Sequence, residues 1–246
     1  MSDRRTYVDE KLGRAAMHHA ALLSAISAER LTATPMPPTS LALSYNPDPA
    51  VDISLILGDF VHNLSASLDY LIGAMREGGP TKTTSFPICR RMNGADGFAG
   101  KRVQNQLEGI PSEAKDLIQL MQPFDGTDTS VDAQWDECRA LAALRALWNA
   151  DKHRMILVAI SGIGFGSGSG IDYQFSGAQV IATPRPGRQE RRGQVRVMVT
   201  LAAQPGMSVE DYFWIESWTV AGLANFMYNS VVSRVVPALR PYIQDA

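Results

Sequence analysis

Arg145, Asn149 and His153 recur every four residues, so on an α-helix they form one row of hydrogen-bond donors ending in a titratable imidazole. Imidazole both gives and takes a proton near neutrality, and a guanidinium contacts phosphate or carboxylate through two parallel hydrogen bonds. Lys152 and Arg154 bracket His153, and Cys138 lies on the same edge. Such a row suits acid–base work on a phosphate ester. Cations at a helix C-terminus also complement the macrodipole, which is the plain structural alternative. A second polar row, Asp59, His62 and Asp69, lies on an earlier segment, with Asp52, Asn63 and Tyr70 beside it and the small residues Ala66 and Gly73 on the same side. Asp59 and His62 are three apart and can touch. Small residues beside acids point to a closely packed neighbour; the other readings are a solvated face or a buried helix held by a few Asp hydrogen bonds.

The elements that must position these rows follow from hydrophobic period and chain breakers. Residues 8–30 place Leu12, Ala15, Ala16, His19, Leu22, Leu23 and Ile26 at helical spacing, and three prolines in 32–40 end that helix. Residues 41–45 suit a short strand. A long helix is expected over 51–77, with Ile53, Leu57, Phe60, Leu64, Leu68, Leu71 and Met75 on its apolar face and Gly78-Gly79-Pro80 as its stop. Ser112 reads as the cap of a short helix reaching Met121, and residues 131–150 as a helix with Leu141, Leu144, Leu147 and Trp148 in the core. Residues 155–160, 173–182 and 194–203 read as strands, the last alternating Val195, Val197, Val199 and Leu201. A final helix is expected from Ser208 towards Arg234, with Pro237 and Pro241 fraying its end. The expected fold class is α+β: mainly a helical bundle, with a small antiparallel β-meander inserted before the last helix. One domain is expected over 1–246, with 1–153 as the bundle, 154–204 as the meander and 205–246 as the helix returning to the bundle.

The 246 residues are 45% apolar and 20% charged, which excludes a disordered or fibrous chain. A net charge of −2 excludes a basic footprint over the whole surface but leaves room for a local one. Cys89 and Cys138 lie far apart with no C-x-x-C, so neither a zinc ribbon nor a disulfide framework is indicated. The first residues carry charges and no apolar run, and no uncharged stretch reaches the ~20 residues a membrane span needs. The expectation is a soluble cytoplasmic protein with no membrane contact. Gly162 to Gly170 alternates glycines without the frame of a phosphate-binding loop, and reads as a hairpin loop. Arg185, Arg188, Arg191, Arg192 and Arg196 make a basic loop with no interleaved aromatic, which suits a solvated loop better than a nucleic-acid track. His18 and His19 cannot face one site, and no H-x3-H or H-E-x-x-H pair exists, so neither metal nor cofactor is expected.

The stretch Gly58-Asp59-Phe60-Val61-His62-Asn63-Leu64-Ser65-Ala66-Ser67-Leu68-Asp69, then Phe86-Pro87-Ile88, Gln122-Pro123 and Asn149-Ala150-Asp151-Lys152-His153-Arg154, resembles a widespread bacterial family of undefined activity. That family's pattern runs G-D-x-x-H-N-L-R-x-A-L-D-H and later N-x-D-K-H-R. More distantly the chain resembles the HEPN superfamily of helical bundles, many of them metal-independent RNases that use an Arg and a His with four to six residues between. Ser65 stands where the family has Arg and Tyr70 where it has His. Arg145 and His153 have seven residues between them. The resemblance implies RNA or nucleotide as partner. Cleavage would then use His153, Arg145 and Asn149 with His62, while Asp59, Asp69, Lys152 and Arg154 bind. The alternative is a non-catalytic binding or scaffolding module in which the same residues form a buried network. Trp214, Trp218 and Phe226 suit self-association as a homodimer.

Overall fold

The computed structural model describes the backbone of residues 4–27, 31–36, 40–45, 49–124, 135–153, 158–165, 171–176, 179–184, 195–201 and 218–244, and the side chains within 4–26, 52–124, 136–152 and 218–244. Long helices dominate: α1 (Arg4–Ser27), α2 (Pro49–Met75) and α5 (Trp135–His153), with the short α3 (Lys101–Gln106) and α4 (Ser112–Leu120) between the last two. Then α6 (Val220–Ser230) passes through a π-helical stretch, Val231–Val235, into α7 (Val236–Leu239).

All seven residues expected on the apolar face of α2 are at most 2% exposed. Val61, Ser67, Ile72 and Ala74 are buried as well, so α2 is enclosed on more than one side. It runs as the axis of the bundle, with α1 along it and Leu141, Leu144 and Leu147 of α5 in the same core cluster. Each such large apolar side chain contributes about 1.5–3 kcal/mol on burial. Gly78 and Gly79 terminate the α2 segment at φ 77° and 84°, a left-handed conformation that costs glycine nothing.

Every residue whose side chain is described belongs to a helix, turn or loop, and none lies in a strand. This corrects the expected fold class: the described side chains build a helical bundle, and no β-meander is among them. The backbone of 31–45 and 158–201 is extended in places, but its pairing order is β1(Leu31–Met36)-β2(Ser40–Tyr45)-β5(Gln179–Pro184)-β4(Ile171–Ser176), with β3(Val158–Phe165) and β6(Val195–Leu201) as a separate pair. A meander would pair each strand with the next. Alternation of apolar residues reports which face is buried, not which strand becomes the neighbour.

Two further expectations change. Ser112 does not cap α4; Pro111 precedes the helix, and the Ser112 hydroxyl contacts the Glu113 carboxylate. Pro237 does not fray its helix but sits within α7. The Val236 N–H donates to the Val231 carbonyl five residues back, and this wider turn moves the backbone aside where a proline ring would crowd it. Thr219 caps the helix described from Val220, its hydroxyl accepting from the Gly222 N–H. Ser208 and the Arg185 to Arg192 loop lie outside the described residues.

Candidate functional site

The two polar rows meet along the seam between α2 and α5. At Gly58 the contact is close: a Cβ there would stand 2.5 Å from Asp151 Oδ1. Any larger residue there would make the Asp151 carboxyl shift. One helical turn on, the His62 ring lies 4.8 Å from the Trp148 ring, and the Lys152 ammonium lies 4.4 Å from the same ring, a cation–π contact.

Further along, the helices part and frame a cleft of about 420 Å³. From α2 come Ser65 and Asp69, and from α5 Arg145, Trp148, Asn149 and Lys152; residues Ser85 to Cys89 form a strap across it, and Arg102 and Gln106 of α3 close the far side together with Asp96, whose carboxylate lies 4.0 Å from the Arg102 guanidinium. Three side chains from three places in the chain lock the strap. The Phe86 N–H donates to Asp69 Oδ1 at 2.8 Å. Arg145 Nη1 donates to the Ile88 carbonyl at 2.6 Å. The Cys89 N–H donates to Gln122 Oε1 at 2.7 Å, and Gln122 Nε2 donates back to the Ile118 carbonyl at 2.8 Å. Gln122 is only 2% exposed, so its amide serves the backbone on both sides. Gln106 reaches the Ser85 hydroxyl at 2.6 Å, tying α3 to the same strap.

Burial pushes the Asp69 carboxyl above the usual carboxylate range, opposed by the Phe86 N–H and by the charges of Lys152 and His62. Burial raises Asp151 too, with His62 pulling it down and Asp59 pushing it up. The Cys89 thiol, at the cleft wall, is held in its neutral form by burial.

The structure therefore brings Asp69, Arg145, Asn149 and Lys152 to one cleft and sets His62 beside it through Trp148. Asp59 is exposed and outside the lining, its carbonyl accepting from the Asn63 side chain. The side chain of His153 and the whole of Arg154 lie outside the described residues. Sequence reasoning missed Arg102, Gln106, Ser85 and the role of Gln122. Gln122-Pro123 was visible as a motif, but nothing local to it indicates a partner 33 residues away. Among the described residues, no three His, Cys, Asp or Glu side chains converge as metal ligands, and no helix is long and apolar enough to cross a membrane.

Compared with family models, with curated proteins and with solved structures, the chain matches none of them.

Proposed function

We propose that the α2–α5 cleft binds a phosphate-bearing ligand, a nucleotide or an RNA end, and that the protein acts by binding rather than by cleavage. One observation carries this reading: three cations, Arg102, Arg145 and Lys152, outnumber the one exposed carboxylate, Asp96, in a single cleft whose wall is already locked in place by Asp69, Gln122 and Arg145. A wall held before the ligand arrives lowers the ordering cost of binding, and cationic donors beside amide donors suit a phosphate. Asn149 adds such an amide. The resemblance to the HEPN superfamily agrees with the ligand class. It does not favour cleavage, because Ser65 and Tyr70 replace the Arg and His of the motif on α2. Arg145 directs one of its nitrogens to a backbone carbonyl, which is work that keeps the wall in place.

The test is calorimetric titration with ribose 5-phosphate and with a short single-stranded RNA bearing a terminal phosphate. Binding is expected to weaken with salt and to fall about tenfold or more in Lys152→Ala and in Arg102→Ala, the scale of one charged hydrogen bond. Affinity unchanged in both variants, or RNA degradation that disappears in His62→Ala, would overturn the reading.

A further inference from the structure

A second cavity of about 480 Å³ borders the first, and Asp69 lines both. The chain itself marks the border: Thr84 faces the second cavity and Ser85 the cleft. Consecutive Cα atoms are about 3.8 Å apart, so the two linings adjoin at this one peptide link. Between them runs the hydrogen bond from the Phe86 N–H to Asp69.

Their linings differ. The cleft is polar, whereas the second cavity has an apolar floor of Gly73, Ala74 and Pro80. Its wall is the tyrosine pair Tyr7 and Tyr70, with ring centroids 6.4 Å apart and planes inclined at 41°. Both rings stand open, at 46% and 44% exposure, which is high for large aromatic side chains with a hydroxyl to hydrate. Arg4 is the basic residue of the lining, while the Lys11 ammonium, 5.3 Å from the Tyr70 ring, belongs to a neighbouring pocket on the tyrosine pair. At the polar edge are the hydroxyls of Thr81 and Thr84, 3.1 Å apart, and the Asp69 carboxyl.

We propose that the two cavities form one bipartite site for a nucleotide, with the phosphate in the α2–α5 cleft and the base against the Tyr7–Tyr70 pair. This rests on the phosphate-binding reading above and adds the class of ligand that would fill both halves. A flat ring with hydrogen-bonding edges matches an apolar floor, aromatic walls and a hydroxyl–carboxyl rim. An aliphatic chain would cover the floor but offer nothing to the lone pairs that Asp69 and the threonines keep beyond their bonds to the Phe86 N–H and to one another, and desolvating those is costly. A base carrying an exocyclic amino group gives Asp69 a donor to accept from. The sugar then crosses at Thr84 and Ser85.

The experiment titrates AMP, ribose 5-phosphate and adenosine against the wild-type chain, Tyr70→Ala, Tyr70→Phe and Lys152→Ala. Base–aromatic stacking has a scale that makes AMP about tenfold tighter than ribose 5-phosphate on the wild type. That gap should close in Tyr70→Ala, persist in Tyr70→Phe, and persist in Lys152→Ala while both ligands weaken together. Tyr70 is exposed, so its truncation leaves the core intact. Equal affinities for AMP and ribose 5-phosphate on the wild type, with both lost in Lys152→Ala, would overturn the base subsite and leave the phosphate reading standing. Adenosine binding that depends on Tyr70, with no gain from the phosphate, would overturn both.

Discussion

At the Gly58 end of the seam, the backbone of α2 lies against the Asp151 carboxyl of α5 with no room for a methyl group between them. At the Asp69 end the same two helices stand apart around a cleft of about 420 Å³. The distance between two packed helices follows the side chains at their contact. A glycine closes one end, while Trp148, Arg145 and an inserted strap hold the other open. The difference in polar chemistry follows from this. Asp69 and Arg145 reach strap backbone from opposite walls and position it, which leaves the lip of the cleft to Lys152, Asn149 and Arg102. The closed end thus sets the frame, and the open end offers groups to a ligand.

The sharpest way to break that contrast is to unlock the strap. Gln122→Ala leaves the buried Cys89 N–H without its partner, and the expected cost is about 1–3 kcal/mol of stability, read by chemical denaturation. Binding of ribose 5-phosphate should weaken with it, because the strap is a cleft wall. A variant of wild-type stability and affinity would show that the strap needs no clamp.

A smaller effect is expected at the closed end. Gly58→Ala should change stability by less than about 1 kcal/mol, since displacing the tip of the Asp151 side chain is set against the better helix propensity of alanine. In an Asp151→Ala background the same change should become more favourable. A double-mutant cycle measures that coupling, and additive effects would contradict the close approach.

The smallest effect concerns pH. Burial holds the Asp69 carboxyl above its unfolded value, so the folded state retains a proton that the unfolded state has released. Its contribution to stability is complete below the unfolded carboxylate range and is lost as pH rises through the higher folded value. Asp69→Asn keeps an acceptor for the Phe86 N–H and removes the buried charge. It should therefore melt slightly higher than wild type at neutral pH, with the difference vanishing in acid. A lower melting temperature at neutral pH would mean that Lys152 and His62 outweigh the burial.

Much of the helical frame was legible from local pattern. The apolar face of α2 and its glycine stop follow from helical period and from glycine's left-handed freedom, both properties of neighbouring residues. Of the row Arg145, Asn149 and His153, the first two were legible for the same reason, since a spacing of four places side chains on one face; Lys152 was read only as bracketing His153. The pairing of the extended segments was not: a meander was expected and is not what forms, because strand alternation carries no address for a partner strand. Nor were α3, whose six residues show no apolar period, or the tyrosine pair, whose members are 63 positions apart in the chain.

Residue order by itself determined which segments coil into long helices, which faces of them are apolar, and which polar residues share a face. Those are consequences of backbone geometry over a few turns. Only the tertiary structure decided what the polar residues do. It turned Asp69, Gln122 and Arg145, read from the sequence as a binding residue, a motif residue and a catalytic candidate, into clamps on one strap, and it set Lys152, Asn149 and Arg102 around one cleft. Hydrogen bonds between groups 17, 33 and 57 residues apart exist only once the core has brought the helices together, because the entropy of closing such loops is offset by burial of apolar surface, not by the polar contacts themselves.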